Sequence, residues 1–338
     1  MLIVSDVPLV VDLDGTLTPS DTLVESVVHL VKHAPTSVFK IPLWLLGGRA
    51  EFKRSVARHA DFAPESLPFR ESLIDYLREE KSKGRRIILA TAAHRSIAER
   101  VASQLGLFDA VLATDDLGQN LKGKNKLELI RGQVGEAFVY AGDCAADVPV
   151  WEGAAGAVLV GVPESLASEV RGKVAVEKEF ARESRGLKVW LRALRVHQWM
   201  KNLLLFVPFL TAFSFSDGAA LGRLLLGFMA FSLAASATYV VNDLWDLDND
   251  RAHPRKRTRP FASGQLPILH GVVVAGSLLG CALIIALTVS PKFLLMLLLY
   301  LVMTSAYSWV LKQYVLIDVL MLSLLYTLRI VAGAVQSV

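Results

Sequence analysis

The second half of the chain contains five long apolar stretches, and this feature limits the possible folds most strongly. They cover roughly residues 199–216, 220–241, 270–289, 293–311 and 314–335. A helix needs about 20 residues to cross the roughly 30 Å hydrocarbon core of a bilayer. Any one stretch is also compatible with a buried helix of a soluble protein, but five in succession predict a membrane-embedded helical bundle. The first stretch is the weakest candidate because it is short and contains Pro208.

The distribution of basic residues predicts which side of the membrane the connections face. The loop 243–268 is strongly basic, and so is the segment 177–201 before the first apolar stretch. The basic residues of the loop are Arg251, Arg255, Lys256, Arg257 and Arg259. By the positive-inside rule both segments face the cytoplasm. The N-terminus lacks the basic start of a signal peptide, so we expect the N-terminal domain on the same side of the inner membrane.

Before residue 177 the sequence alternates short apolar strands with amphipathic helices. The predicted strands are "PLVVDL", "RRIILAT", "AVLAT", "AFVYAGD" and "AAGAVLVG". This alternation predicts an α/β domain with a doubly wound parallel sheet. The predicted division of the chain is an α/β domain at 1–176, a basic amphipathic helical linker at 177–198 and a transmembrane domain at 199–338. Cys144 and Cys281 lie far apart and indicate no disulfide framework.

Two aspartates follow the first predicted strand, in the segment "VVDLDGTLT". Asp12 and Asp14 stand at positions i and i+2, so their carboxylates leave the strand on the same side. One carboxylate can attack a phosphorus atom while the other protonates the leaving oxygen. Because both carboxylates repel a phosphate group, this chemistry requires a cation, and Mg²⁺ is the expected one.

Later residues complete a predicted phosphoryl-transfer site at the carboxyl ends of the strands. Thr91 ends the second predicted strand, where its hydroxyl can hold a phosphate oxygen. Lys126 can neutralise the phosphate and the nucleophile, with Lys124 as a near alternative. Asp143 and Asp147 follow the fourth strand and can hold Mg²⁺. Ligands of parallel sheets usually bind at this end of the strands.

The order of these motifs resembles the haloacid dehalogenase (HAD) phosphatase superfamily over residues 8–160. The resemblance implies that Asp12 forms an aspartyl-phosphate and that Asp14 is the general acid and base. The metal-site residues that it implies are Asp12, Asp14, Asp143 and Asp147. The helical stretch around 18–80 sits where this family inserts a cap that selects the substrate. Its segment "IPLWLLGG" is either part of the cap core or a patch that touches lipid, and the sequence leaves both open.

A second group of acids stands at the end of the second apolar stretch, in the segment "NDLWDLDND" at 242–250. On a helix Asp243, Asp246 and Asp250 share one face, and carboxylates gathered there repel one another unless they hold cations. The basic residues that follow offer contacts to phosphate groups, and they are Arg251, Lys256 and Arg259. The alternative interpretation is a solvated loop of mixed charge.

The spacing N-D-x-x-D-x-x-x-D at 242–250 resembles the first aspartate motif of the UbiA-type intramembrane prenyltransferase superfamily. The resemblance covers about 190–338, and "DRAHPRKRTRPFASG" is most similar to the decaprenyl-phosphate phosphoribosyltransferase branch. It implies an all-α transmembrane bundle with Mg²⁺ at Asp243, Asp246 and Asp250. The candidate substrate-binding residues are Asn242, Lys201, Arg251, Lys256, Arg259, Lys312 and Asp318. For Lys312 the sequence leaves two interpretations open, a phosphate contact and an anchor at the membrane interface. The superfamily also has a second aspartate motif and about nine spans, so we expect this chain to be an incomplete gene product or a domain whose partner half is missing.

Two charged residues interrupt the last apolar stretch. Asp318 and Arg329 are eleven residues apart, about three helical turns, so they share a face without touching. Charges within a membrane span are costly and usually functional. Both residues are therefore candidates for lining a substrate cavity, and a structural ion pair with another helix is an equally open interpretation.

Together, the two resemblances predict a bifunctional membrane enzyme that uses Mg²⁺. The expected partners are a polyprenyl lipid substrate, a diphosphate-bearing substrate and the bilayer itself, with no nucleic acid. The transferase would join phosphoribosyl diphosphate to a polyprenyl phosphate, and the phosphatase would hydrolyse a phosphate monoester. Two alternatives remain: an aromatic prenyltransferase for quinone precursors, and a non-catalytic membrane scaffold whose HAD-like domain is a sensor.

Overall fold

The computed structural model divides the chain into two compact units. It describes residues 7–60, 64–114, 121–182, 186–213, 217–309 and 315–337. The first unit comprises the chain up to Ser184 together with two loop segments, Arg251–Thr258 and Ala262–Ile268. The second unit comprises Arg185–Asp250, Arg259–Phe261 and Leu269–Val338. The loop that follows the second acidic motif is therefore shared between the units.

A six-stranded sheet with the order β3-β2-β1-β4-β5-β6 forms the centre of the first unit. Its strands are β1 Leu9–Val11, β2 Ile87–His94, β3 Ala110–Thr114, β4 Val139–Gly142, β5 Gly156–Val160 and β6 Val176–Phe180. All five strand pairings are parallel. The central strands are apolar and fully buried, as expected for a parallel sheet covered on both faces. The prediction of a doubly wound sheet is confirmed.

Helices cover both faces of this sheet. They are α1 Thr22–His33, α2 Ile41–Leu46, α3 Gly48–His59, α4 Glu71–Ser82, α5 Arg95–Leu105, α6 Lys124–Val134, α7 Val148–Glu152 and α8 Glu164–Arg171. Short 3₁₀ helices lie at Pro35–Lys40, Pro64–Ser66 and Ala145–Asp147. The helices α1, α2 and α3 lie within the stretch predicted as a cap, between β1 and the helix that leads to β2.

The predicted helical linker 177–198 is wrong at its beginning. Residues Val176–Phe180 form β6, which pairs with β5 at the edge of the sheet. The three charged residues at its centre are exposed and the apolar residues at its two ends are partly buried, which suits a strand at the edge of the sheet. Phe180 packs edge-on against Tyr76 of α4, with 5.8 Å between the ring centroids. The buried Arg85 bonds Glu177 at 3.0 Å, so tertiary contacts select the strand.

The second half of the chain is helical. Its helices are α9 Leu187–Ala193, α10 Val207–Thr211, α11 Gly218–Trp245, α12 Leu247–Ala252, α13 Ile268–Val289, α14 Pro291–Trp309 and α15 Val315–Ser337. Four of them, α11, α13, α14 and α15, are long and apolar enough to cross a membrane. The described part of the first predicted span is a 3₁₀ helix at Val196–Phe206 followed by the five-residue α10. Pro208, which cannot donate a backbone hydrogen bond, lies at the start of α10.

The long helices pack around aromatic side chains and around one very close backbone approach. Phe231 of α11 contacts Phe293 and Tyr300 of α14, with ring centroids 5.6 and 5.1 Å apart. Gly333 of α15 lies directly against the backbone of Leu205, and a Cβ atom at Gly333 would collide with the Leu205 carbonyl. This approach lets the 3₁₀ helix pack against α15 without an intervening side chain.

We predict that Gly333→Ala destabilises the helical unit by about 1–3 kcal/mol, because the new methyl group must displace a backbone carbonyl. The matched control is Gly280→Ala in α13, where a Cβ atom meets nothing within 4 Å. Thermal unfolding of both variants in detergent measures the difference. Equal melting temperatures for the two variants would contradict the close approach.

Candidate functional sites

A lysine and a tyrosine join two buried carboxylates where β1 and β4 end. Lys126 Nζ lies 3.0 Å from Asp12 Oδ2 and 3.8 Å from Asp147 Oδ1. The Tyr140 hydroxyl donates to Asp147 at 2.8 Å and accepts from Lys126 at 2.9 Å. All four side chains are buried, so each charge depends on its neighbours rather than on water. The register of the sheet creates this cluster, because β1 and β4 are neighbours and the Asp12 amide bonds the Ala141 carbonyl.

Two further acids border this cluster. Asp14 Oδ1 accepts the backbone N–H of Thr22, at the start of the first cap helix, at 2.8 Å. Asp143 accepts the Thr16 hydroxyl at 3.4 Å. Gly15 lies between them with a φ of +81°, and a Cβ atom there would collide with the Asp143 carboxylate. A glycine at this turn therefore allows Asp143 to approach the β1 loop.

Burial controls the protonation of these acids. It raises the pKa of Asp12 to about 6, against the opposing charge of Lys126 and with the added charge of Asp147. It also raises the pKa of Asp14 to about 7, and the neighbouring Asp21 contributes. The pKa of Asp143 rises to about 7 through burial and the charge of Asp147. A carboxyl group with a pKa near neutrality is well suited to donate and accept a proton.

Thr91 lies inside β2 rather than at its end, because the strand continues to His94. Its side chain is fully buried, and its hydroxyl accepts the Ala93 N–H at 3.0 Å. The predicted strand end was therefore three residues too early, and Ala92, Ala93 and His94 line the cavity beside the acids. Lys124, the alternative to Lys126, is exposed on α6.

A cavity of about 410 Å³ opens in front of the acids. Asp12, Asp14, Lys126 and Asp147 form part of its wall. Cap residues contribute another part of the wall, among them Thr22, Ser26, Leu45, Phe52, Lys53 and Val56. The cavity is thus enclosed partly by the sheet and partly by the segment predicted to select the substrate. Its size is suitable for a small organic phosphate or for the head of a larger molecule.

The donor set of this site fits a hard divalent cation. A carboxylate oxygen of Asp143, one of Asp147 and the Cys144 sulfur lie within 4.8 Å of one another. Carboxylate oxygens are preferred Mg²⁺ ligands. The surroundings of Cys144 desolvate its thiol and, with Asp147, raise its pKa to about 12, so the sulfur stays protonated. The residues that would hold Mg²⁺ are therefore Asp12, Asp143 and Asp147, with Asp14 beside them.

In the helical unit, two acids of the second motif converge on one arginine. Arg259 Nη1 lies 3.1 Å from Asp243 Oδ1 and 2.6 Å from Asp250 Oδ2. Arg195 Nη2 approaches the same Asp243 oxygen at 2.6 Å. Asp243 and Asp250 are almost fully buried, although α11 ends at Trp245 and the helix resumes at Leu247. Oxygens of both acids thus point at one cationic centre, Arg259 Nη1.

The other predicted residues of this motif occupy different environments. Asn242 donates to the Ser308 hydroxyl of α14 at 3.0 Å, and Asp246 is half-buried at the end of α11. Lys201 and Lys256 are exposed. Asp318 of α15 lies next to Tyr307 of α14. Lys312 lies outside the described residues.

Arg251 pairs with Glu25, and both residues belong to the first unit. Its guanidinium group contacts both Glu25 oxygens, at 3.1 and 2.6 Å, and donates to the Ala262 carbonyl at 3.2 Å. Both side chains are buried, and the Ser20 hydroxyl donates to Glu25 at 2.5 Å. The loop after the second acidic motif is therefore fixed to the first helix of the cap by a bidentate ion pair.

Arg329 is buried in the helical unit among neutral groups. It donates to the Asn202 side chain at 2.9 Å and to the Leu325 carbonyl at 2.6 Å, and it stacks over the Tyr300 ring at 4.9 Å. Among the residues that the structure describes, no carboxylate pairs with it. Asn202 in turn donates to Ser232 of α11 at 3.0 Å. The arginine thus links α15, α14 and the 3₁₀ helix through hydrogen bonds.

Two family models match separate parts of the chain. The haloacid dehalogenase-like hydrolase family matches residues 9–152, and the UbiA prenyltransferase family matches residues 204–336. The chain joins a haloacid dehalogenase-like hydrolase domain to a UbiA prenyltransferase family domain. The UbiA domain contains the four long apolar helices, so the chain is a multi-pass membrane protein.

Three known proteins are similar in sequence to this chain over different lengths. The uncharacterized protein y4nM of Sinorhizobium fredii is 41% identical over 330 residues, which cover 97% of this chain and 64% of that protein. Decaprenyl-phosphate phosphoribosyltransferase of Mycobacterium tuberculosis is 36% identical over 151 residues, covering 44% of this chain and 50% of that enzyme. A 4-hydroxybenzoate solanesyltransferase of Synechocystis is 33% identical over 108 residues, covering 30% of this chain and 37% of that enzyme. The chain spans only part of the length of each.

The sequence did not reveal the contacts of three residues, Tyr140, Arg195 and Glu25. Tyr140 stands inside a buried strand, where an aromatic residue indicates core packing, and only its hydroxyl contacts reveal its place in the hydrolase site. Arg195 precedes the first apolar stretch by a few residues and was counted only as part of a basic segment. Glu25 has one available signal, an acid on the apolar side of a helix that needs a cationic partner.

We predict that Glu25→Gln destabilises the hydrolase domain by roughly 3–5 kcal/mol, because it leaves the Arg251 charge buried without its partner. The matched control is Glu99→Gln, which breaks an exposed ion pair with Arg95 and costs at most about 1 kcal/mol. Denaturant unfolding of the full chain in detergent provides the measurement. A loss for Glu25→Gln as small as that of the control would contradict a buried anchoring role.

Proposed function

We propose that the protein is a bifunctional membrane enzyme, a polyprenyl-phosphate phosphoribosyltransferase joined to a phosphatase. The observation that carries the transferase half is the convergence of Asp243 and Asp250 on Arg259, within the full N-D-x-x-D-x-x-x-D spacing. The similarity of this chain to decaprenyl-phosphate phosphoribosyltransferase supports a polyprenyl phosphate and phosphoribosyl diphosphate as the substrates. The reaction would bond a phosphate oxygen of the lipid to the anomeric carbon of phosphoribosyl diphosphate and release diphosphate.

In the transferase site, the acids and arginines would share the binding of the diphosphate. Mg²⁺, when bound, would supply positive charge to the leaving diphosphate. Asp243 and Asp250 would hold the cation when Arg259 turns from the acids to the phosphate groups. Arg195, already at Asp243, and the exposed Lys201 would add further contacts to the anion.

In the hydrolase site, Asp12 would attack the phosphorus of a phosphate monoester and form an aspartyl-phosphate. Asp14 would give its proton to the leaving oxygen and then take a proton from the attacking water, which suits its pKa of about 7. Lys126 would compensate the charge of Asp12 and of the phosphate, held in place by Tyr140 and Asp147. Mg²⁺, when bound, would neutralise the remaining carboxylate charge.

We propose that the two reactions are consecutive. A phosphoribosyl-polyprenyl product still carries a 5-phosphate, which is a monoester of the kind that the hydrolase site takes. The fusion of both domains in one chain favours this order. The basic character of the loop at 251–259 also supports it, because by the positive-inside rule both sites would face the cytoplasm. The product of the pair of reactions would be a ribosylated lipid phosphate and inorganic phosphate.

The second candidate is an aromatic prenyltransferase, in which polyprenyl diphosphate is the electrophile. The similarity to 4-hydroxybenzoate solanesyltransferase favours it, over a shorter part of the chain. The same acids would hold the diphosphate in either reaction, so the choice depends on the acceptor. A third candidate, a scaffold with a sensor domain, requires no catalysis in the hydrolase site.

We predict Mg²⁺-dependent hydrolysis of phosphate monoesters, which Asp12→Asn lowers roughly 10²-fold or more because the nucleophile is lost. Lys126→Met should cause a loss of similar size, since it leaves Asp12 and Asp147 without their shared cation. The exposed Lys124→Met is the matched control and should keep wild-type activity. Phosphate release measures all three, and unchanged release in Asp12→Asn would favour the sensor interpretation.

The transferase prediction compares two incubations of the full chain in lipid. Labelled phosphoribosyl diphosphate with polyprenyl phosphate should give labelled lipid, whereas labelled polyprenyl diphosphate with hydroxybenzoate should give no prenylated product. Asp250→Asn should abolish the transfer because one of the two converging acids is lost, and the exposed Asn249→Ala is the control. Product from the second incubation alone would select the aromatic prenyltransferase.

A further inference from the structure

In the described part of the hydrolase domain, large apolar side chains are exposed in one segment only. Among the described residues from 7 to 182, the exposed large apolar side chains are Phe39, Leu43, Leu45 and Leu46. Their exposures are 86%, 69%, 55% and 86%. All four lie within eight consecutive residues of the cap, and we call them the cap patch. Scattered exposed leucines need no explanation, but a cluster of this kind marks an interaction surface.

The cap patch resembles the apolar helices in the exposure of its large apolar side chains. Every other described large apolar side chain with this degree of exposure lies between Leu187 and Val331, in the part of the chain that carries the apolar helices. Examples are Ile284 of α13 at 67% and Val302 of α14 at 65%. Side chains of that kind face lipid in a multi-pass protein, where exposure to an apolar solvent costs nothing.

The segment that carries the cap patch is held from one side only. Trp44 of α2 is buried in the sheet core and packs against His59 of α3, with ring centroids 4.9 Å apart. The flanking Leu43 and Leu45 of this short helix stay outside. Lys40, exposed at the end of the 3₁₀ helix, adds a cation beside the apolar surface. An apolar face with basic residues at its margin is typical of segments that lie in the headgroup region of a bilayer.

We infer that the cap patch lies in the lipid–water interface of the membrane that holds the UbiA domain, and that the hydrolase site thereby takes membrane-borne phosphate monoesters. Leu45 connects the two statements, because it belongs to the patch and also lines the cavity that contains Asp12 and Asp14. The chain's own membrane helices keep the bilayer at high effective concentration, so a small patch suffices. The statement about substrates rests on the proposed phosphatase function.

A lipid-depth experiment tests the contact itself, without any assay of activity. The full chain carries Leu46→Cys as its single labelled cysteine, with Cys144→Ser and Cys281→Ser, and an environment-sensitive fluorophore is attached. In nanodiscs of phosphatidylcholine and phosphatidylglycerol, lipids with a nitroxide near the headgroup should quench the fluorophore at least twofold. The control is a label at Glu79, an exposed residue of α4 in the same domain, and it should stay unquenched.

Equal quenching at both positions would overturn the membrane contact. So would a probe at Leu46 that is shielded from water only as the number of protein copies per disc rises, because the patch would then bind a second copy. Shielding by an added protein without lipid quenching would overturn it in the same way.

A second experiment tests the substrate class with Leu43→Ser combined with Leu46→Ser. Neither residue lines the cavity, so hydrolysis of the soluble p-nitrophenyl phosphate should stay within twofold of wild type. Release of the 5-phosphate from phosphoribosyl-polyprenyl phosphate in the same nanodiscs should fall at least tenfold in kcat/KM. Unchanged hydrolysis of the lipid would overturn membrane delivery. A wild-type chain that cleaves neither substrate would refute the phosphatase function, whereas the quenching result would still decide the contact.

Discussion

Buried carboxylates that share one cation are the constraint that the surrounding structure has to satisfy in both candidate sites. In the hydrolase site Lys126 forms ion pairs with both Asp12 and Asp147, and in the UbiA domain Arg259 forms ion pairs with both Asp243 and Asp250. Removing charges from water is expensive, so each cluster persists only where geometry and hydrogen bonds compensate it. The sheet register and the end of α11 supply that geometry.

The periodicity and the motifs predicted most of the fold. The strand–helix alternation gave five strands of the parallel sheet, and the apolar stretches gave the four long helices, because both signals are local. The sixth strand could not be predicted, since the charged segment at Val176–Phe180 becomes a strand only through pairing with β5. The interruption of the first apolar stretch had one local signal, Pro208, which indicated weakness but not a 3₁₀ helix.

The same limit applies to the candidate sites: residues set by local sequence could be predicted, and residues set by contacts between distant segments could not. The sequence predicted Asp12, Asp143 and Asp147 from strand ends and grouped Asp243 with Asp250 by the helical period, and both signals are local. Tyr140 and Glu25 could not be found in this way, because their contacts join segments distant in sequence. Arg251 illustrates the limit most clearly. Its position after the acidic motif predicted a phosphate contact, whereas the structure pairs it with Glu25.

The order of the two reactions is the central claim, and one time course tests it most directly. The full chain in nanodiscs receives polyprenyl phosphate and phosphoribosyl diphosphate labelled in the 5-phosphate. The account predicts that label enters the lipid first and then leaves it as inorganic phosphate, and that Asp12→Asn stops the sequence at labelled lipid. Labelled lipid that keeps its phosphate in the wild-type chain, or labelled phosphate released without a lipid stage, would contradict the account.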